Sequence, residues 1–504
     1  MLGRKTLLIN PPLINGVAFT RQGRCQERDD VLGTTKPPYT LALLAELLRR
    51  AGCDVRLVDA TVEKLSIEDV VSRLAADHFE PTLILFPSTT PTLDADVAAI
   101  ARLKERYNAP MFCFGPHAST VPHLAMARAS QVDGMFVGEP EEAAVQLALL
   151  DSTDRLGEVA GLTWRSREGA VVPHRAHGSY TGFLQMPYPA WDLVPLSNYV
   201  LPLVDKPYVI VETSRGCPYS CDFCVAPIHQ GHKFRERSAR SLVDEIERTH
   251  REHGIEFFYL WGDTVTLNVK SFTAFCDELI ARNLPIQWFG NARADNLTDP
   301  AFVHRLKRAG CWMLALGIET ESEEVRKDMV KRLERQKIET AFRNMRQAGI
   351  RSFAFFIFGY PGETLETMHE TVKYAIRLDP DFANFYPAVP YPGTALYDKV
   401  VREGLLPKGA DADWSRMEYS YYLLSGNGLN DKVVMDAIHR AKRRFFLRPA
   451  YVARHMGDIL RLALSKQAIF FSVLSRTLFG SQAIDTSAQP FRTGQAALVE
   501  ADRH

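Results

Sequence analysis

The strongest constraint on the fold is an alternation that runs twice along the 504 residues. Short apolar runs read as strands, and amphipathic stretches between them read as helices. In the first third the runs are Thr6–Asn10, Asp54–Asp59, Thr82–Pro87, Met111–Gly115 and Gly134–Gly138. The helical stretches between them are Tyr39–Ala51, Ile67–Ala76 and Asp94–Tyr107. From Tyr208 a strand–helix unit repeats six times, with strand ends near Glu212, Trp261, Asn291, Gly317, Phe358 and Tyr386. Alternation of this kind builds parallel sheets with helices on their faces.

The fold class is therefore α/β. Residues 1–150 are expected to form a doubly wound, Rossmann-like sheet, and residues 201–400 a partial (β/α)6 barrel. Residues 151–200 are poorly periodic and carry Pro187-Tyr-Pro189-Ala-Trp191-Asp192, so they read as an ordered interdomain linker. Residues 401–480 read as a helical C-terminal region, and the polar, aperiodic residues 481–504 as a disordered tail. In both sheet types, ligands gather at the carboxyl ends of the strands.

One such end holds the most specific chemistry. After the apolar run Tyr208-Val-Ile-Val211 comes Ser214-Arg-Gly-Cys217-Pro-Tyr-Ser-Cys221-Asp-Phe-Cys224, with C-x3-C-x2-C spacing. Three thiolates on one loop suit three irons of a 4Fe–4S cluster, which usually takes four cysteines. The missing fourth ligand leaves one iron open, as a catalytic metal site keeps an open position. The other reading is structural zinc, which usually pairs C-x2–4-C with a second cysteine or histidine pair. No second such pair follows here. The remaining cysteines are Cys25, Cys53, Cys113, Cys276 and Cys311, and eight in so long a chain are no disulfide framework. Cys276 and Cys311 read as buried small hydrophobes.

This loop after a strand resembles the radical S-adenosylmethionine (SAM) family. The resemblance implies that the open iron chelates the amino and carboxylate groups of SAM. An electron from an external donor such as flavodoxin or ferredoxin then cleaves SAM to methionine and a 5′-deoxyadenosyl radical. It also implies SAM contacts from Phe223, Gly262, Asp263, Arg293, Glu319 and Gly359. Salt bridges within the barrel are the alternative for Asp263, Arg293 and Glu319, and turns the alternative for Gly359 and Gly362. Glu363 suits a cap on the next helix, and Tyr386 and Tyr391 suit either a cavity wall or aromatic packing.

The first third resembles the cobalamin-binding domain that precedes many radical SAM domains. The matching features are N-P-P after the first strand, S-T-T after the third, G-P-H-A after the fourth, and G-E-P-E near the end. The implied cobalamin contacts are Asn10, Pro11, Pro12, Ser88, Thr89, Gly115, Pro116, His117, Gly138 and Glu139. The D-x-H-x-x-G motif that supplies a cobalt-ligating histidine elsewhere is absent. The resemblance then implies base-off cobalamin without a histidine axial ligand. A sheet that merely docks on the barrel is the alternative, and His117 equally suits a hydrogen-bonding loop residue.

The loop Arg21-Gln-Gly-Arg24-Cys25-Gln26 resembles that of members related to anaerobic magnesium-protoporphyrin cyclase. Arg21 and Arg24 would there meet an acidic group of cofactor or substrate; a solvated loop is the alternative.

Lys+Arg and Asp+Glu are both 60, so the chain as a whole has no electrostatic bias toward nucleic acid. The run after Met1 is short and ends in Pro11-Pro12, so it reads as a strand, not a leader. No stretch reaches the ~18 apolar residues of a membrane span. A reducing cytoplasm is the expected compartment. Between Arg440 and Gly480, nine Lys/Arg stand against Asp458. That bias suits either an amphipathic surface for peripheral membrane contact or a solvated basic face.

The resemblance implies a cobalamin-dependent radical SAM enzyme acting on a small-molecule substrate, with methylation of a carbon as the leading reaction. Oxidative cyclisation or rearrangement without methyl transfer is a second reading. A non-catalytic cobalamin or iron–sulfur carrier is a third.

Overall fold

The computed structural model describes residues 1–21, 35–201, 203–409 and 413–465, with 471 and 474. Two seven-stranded sheets organise the chain. The first orders its strands β2-β1-β3-β4-β5-β6-β7. They are β1 (Lys5–Asn10), β2 (Asp54–Asp59), β3 (Leu83–Pro87), β4 (Met111–Phe114), β5 (Gly134–Phe136), β6 (Leu162–Arg165) and β7 (Val171–Val172). Strands β1 to β5 pair in parallel. Every residue of β3 is buried, as a strand covered by helices on both faces requires.

Strands β6 and β7 are antiparallel additions to the edge of this sheet. The segment expected to be a linker thus extends the N-terminal domain before it crosses over. Its Trp164 and Val171 lacked a readable period because an edge hairpin this short offers too few alternations. Further on, Ala190 and Trp191 are buried in different hydrophobic clusters, so the proline–aromatic stretch does tie the two domains together.

The second sheet contains β8 (Val200–Leu201), β9 (Lys206–Glu212), β12 (Phe257–Trp261), β13 (Gln287–Ala292), β14 (Cys311–Glu319), β15 (Arg351–Phe358) and β16 (Phe382–Pro387). Strands β9 and β12 to β16 run parallel in that order, and β8 closes the open edge antiparallel. This is the expected partial barrel. A two-stranded ribbon, β10 (Ser214–Arg215) with β11 (Arg235–Glu236), frames the cysteine loop.

The helices carry the local signals that end them. Ser238 caps the helix Ala239–His253 by accepting from Ser241 N, and Gly254 ends it at φ 67°. Ser66 and Asp69 form a reciprocal capping box on Ile67–Ala76. Beyond the barrel lie the helices Ala395–Arg402, Asp431–Phe446, Pro449–Arg454 and Met456–Ser465. Between the first two, residues 413–424 form a strap joining both domains. Its Trp414, Met417 and Leu423 complete the core of the N-terminal sheet, while Tyr422 and Leu424 belong to the barrel core.

Candidate functional site

The cysteine loop is held from several directions. Gly216 has φ 83°, and a Cβ there would collide with the Lys233 carbonyl, so glycine alone lets the ribbon turn into the loop. Cys217 N–H donates to Gly231 O at 3.1 Å and Cys224 N–H to Cys221 O at 3.1 Å. Asp222 anchors the middle. Its carbonyl accepts from Leu396 N–H at 2.9 Å, and its carboxylate accepts from the Tyr360 hydroxyl.

Cys217, Cys221 and Cys224 are half-buried, form no disulfide, and line one cavity of about 270 Å³ at the carboxyl ends of the barrel strands. Among the described residues, no three His, Cys, Asp or Glu converge on one metal-ion position. A cluster takes each cysteine on a different iron, and the three cysteines line one common cavity.

Phe223, Asp263, Arg293 and Glu319 line the same cavity. Arg293 and Glu319 are each ion-paired within the barrel, as the salt-bridge reading of these side chains expects. Arg293 contacts Asp295 at 3.1 Å and its guanidinium lies 3.8 Å over the Tyr219 ring. Glu319 adopts φ 67° and accepts from Lys331 Nζ at 2.6 Å. Gly262 and Gly359 do not line the cavity. A Cβ on Gly262 would come within 2.5 Å of Ser214 Oγ, so this glycine lets β12 approach the ribbon. Gly359 sits at φ 76° under the Tyr422 ring. Its N–H donates to Glu363 at 2.8 Å.

Glu363 does not cap the next helix; Thr364 does, by accepting from Thr367 N. Glu363 is fully buried, and burial pushes its carboxyl up to about 8. Tyr386 and Tyr391 do wall the cavity. Residues not singled out from sequence also reach it: Lys36, Tyr219, Lys331 and Tyr419. Tyr419 arrives on the strap, where no periodicity marks it. Tyr386 and Tyr419 lie with ring centroids 4.3 Å apart.

At the carboxyl ends of the N-terminal sheet, most polar side chains are spent on one another. Asn10 donates to Asp59 at 2.9 Å, Ser88 to Asp96 at 3.0 Å, and Thr89 bonds Thr92 at 2.9 Å. Arg21 lines the small cavities at the sheet ends, but its guanidinium is held by protein partners. It is buried, pairs with Asp96 at 2.7 Å, and donates to the carbonyls of Pro11 and Pro12. Arg24 and Cys25 lie outside the described residues.

His117 is buried in the short helix Pro116–Thr120, with Nδ1 3.0 Å from Thr90 Oγ1 and its ring edge-on to Trp414. Burial pushes its pKa down to about 3, so it stays neutral. Gly138 N–H donates to Ser119 Oγ. Glu139 is fully engaged by Arg235 and Tyr180 N–H.

Asn10, Gly115 and Glu139 nevertheless border small cavities along the strand ends. Lys36 lines both one of these and the cysteine cavity, and Trp261 borders another. These openings are small, about 10 and 30 Å³, and lie where the sheet ends, with glycine at 115, face the barrel.

The basic C-terminal residues are partly consumed. Arg448 and Arg454 pair with Asp379, and Asp458 pairs with Arg351. Lys466, Arg476 and the 481–504 tail lie outside the described residues. Among the described residues no helix is long and apolar enough to cross a membrane.

Residues 211–375 match the Radical SAM superfamily, and residues 30–148 match the B12 binding domain. The chain is 27% identical over 467 residues to the "Uncharacterized methyltransferase PH0819" of Pyrococcus horikoshii, covering 91% of this chain and 97% of that one. It is 28% identical over 423 residues to the anaerobic magnesium-protoporphyrin IX monomethyl ester cyclase of Cereibacter sphaeroides, covering 82% and 68%. Among solved structures, the cobalamin-dependent SAM radical enzyme OxsB shares the fold, with a TM-score of 0.71 at 16% identity, covering 95% of this chain and 73% of that one.

Proposed function

We propose that this chain, a radical SAM protein with an N-terminal B12-binding domain, methylates an unactivated carbon of a small-molecule substrate. The observation that carries the reading is the shared cavity: Cys217, Cys221 and Cys224 line the same space as Asp263, Arg293 and Glu319. When bound, the cluster and SAM supply a 5′-deoxyadenosyl radical, and cobalamin supplies the methyl group.

The chain's own residues bind and orient. Cys217, Cys221 and Cys224 hold the cluster. Asp263 and Glu319 face the SAM ammonium, and Arg293 its carboxylate. Tyr219, Tyr386 and Tyr419 wall the space and exclude water, which keeps a radical from being quenched. Hydrogen-atom abstraction needs no general base, in keeping with the absence of an acid–base dyad among the motif residues. A one-electron reductant is required, for which flavodoxin or ferredoxin is the proposed donor and the cytoplasm the proposed compartment. Exposed Leu460 and Leu464, beside exposed Arg461, make the C-terminal helix the place where peripheral membrane contact would occur.

SAM carrying a deuterated methyl group tests the reaction. Deuterium in the product, with one 5′-deoxyadenosine and one S-adenosylhomocysteine per turnover, supports methyl transfer. The similarity to the cyclase sustains a second reading, oxidative cyclisation. An unlabelled product formed with 5′-deoxyadenosine but no S-adenosylhomocysteine would select it. A carrier would release no 5′-deoxyadenosine at all.

A further inference from the structure

The carboxylates of the G-E-P-E segment are held by two arginines of the ribbon that frames the cysteine loop. Arg215, two residues before Cys217, is 4% exposed. Its guanidinium meets Glu141 at 2.6 Å, Glu212 at 2.8 Å and Glu139 at 3.3 Å. Glu139 also binds Arg235, the partner of Arg215 across the β10–β11 ribbon. The Phe183 ring packs on both guanidinium groups, 5.0 Å from Arg215 and 5.6 Å from Arg235. Glu139 and Glu141 belong to the sheet domain, while Glu212 ends the first barrel strand. A second grip lies on the far arm of the loop. Ser119 Oγ is 2.8 Å from His229 Nδ1, and His177 Nε2 is 2.8 Å from Ile228 O.

We propose that Arg215 is a positioning residue, clamped by Glu139 and Glu141, through which the sheet domain fixes where the cysteine loop stands. The physical reason is rigidity. Three carboxylates around one fork leave the ribbon base a single low-energy placement, and Gly216 transmits it directly to Cys217. Buried ion pairs add little net stability but strongly penalise alternatives that break them. The sheet domain is thus a structural part of the cluster site as well as a cofactor platform.

The inference rests on Cys217, Cys221 and Cys224 as cluster ligands, and its test separates the two ideas. The full chain carrying Glu139→Gln and Glu141→Gln is compared with wild type in two measurements. In cluster-free protein, amide hydrogen exchange over 214–236 should accelerate while β12 to β15 keep their protection. In anaerobically reconstituted protein, iron loss to EDTA should speed by about 10-fold or more, as for other outer-shell partners. Asp458→Asn, which breaks a pair remote from the loop, should change neither.

Wild-type exchange over 214–236 together with wild-type iron loss overturns the proposal. If the double variant does not fold, Glu141→Gln, which leaves the Glu139–Arg235 pair intact, is judged by the same two readouts. If wild type itself takes up no iron, the assignment of the cysteines fails, and the exchange measurement still decides the clamp.

Discussion

The carboxyl ends of the two sheets carry similar residue types and use them in opposite ways. At the barrel ends, Cys217, Cys221, Cys224, Asp263, Arg293 and Glu319 face one shared cavity. At the N-terminal sheet ends, Asn10, Ser88, Thr89, Arg21 and Glu139 close on protein partners. The first end turns its side chains into a cavity. The second commits most of its polar side chains to protein partners, although Asn10 Oδ1 and His117 Nε2 are buried without a hydrogen-bond partner among the described residues. A strand-end motif therefore does not by itself tell which side chains stay open to a cavity.

The sharpest way to break this comparison is at the thiols. Cys217→Ala, Cys221→Ala or Cys224→Ala should each abolish 5′-deoxyadenosine release on reduction. Release from the triple variant would leave the cavity without its assigned chemistry.

Asp96→Asn should have the next largest effect, and on stability. It strips Arg21 of its buried partner, whose side chains are each 1% exposed. Removing one member of such a pair costs about 3–5 kcal/mol. Urea unfolding of the apo chain reads it, and a loss below about 1 kcal/mol would mean that Arg21 answers to a ligand instead.

The pH dependence should differ in sign between the two ends. Glu363, pushed up to about 8, keeps in the native barrel a proton that the unfolded chain releases above about 4.5. Its contribution to stability therefore declines as pH rises from about 4.5 to 8. His117, pushed down to about 3, refuses in the native sheet domain a proton that the unfolded chain takes up below about 6.5. Its contribution declines as pH falls from about 6.5 to 3. Glu363→Gln should flatten the alkaline slope in barrel amide exchange, and His117→Gln the acid slope in the sheet domain. Matching slopes in both domains would show that these two groups do not dominate.

A smaller effect should follow from Tyr422→Phe, which removes a 2.9 Å bond to the Gly359 carbonyl. About 1 kcal/mol is expected. A change near zero would show that the ring alone covers that turn.

How much the sequence disclosed follows the same divide. Strand ends near Glu212, Trp261, Asn291, Gly317, Phe358 and Tyr386 fall within two residues of the observed ends, because apolar periodicity is a local property. The thiols were legible because three cysteines at that spacing on one loop are a local property of the sequence. The protein partners of Arg21, His117 and Glu139 were not legible because Asp96, Trp414 and Arg235 lie far along the chain. The strap 413–424 carried no period because it alternates between two cores, sending Met417 to one and Tyr422 to the other.

The strap also imposes a schedule on biosynthesis. Trp414 closes over His117, so the N-terminal core cannot be completed until nearly 300 further residues have left the ribosome. At ordinary rates of translation that interval is about 15–60 s. Through that interval the sheet domain waits with one wall of its apolar core missing. A chain stalled before the strap would therefore expose that face to aggregation, however well its own strands had paired.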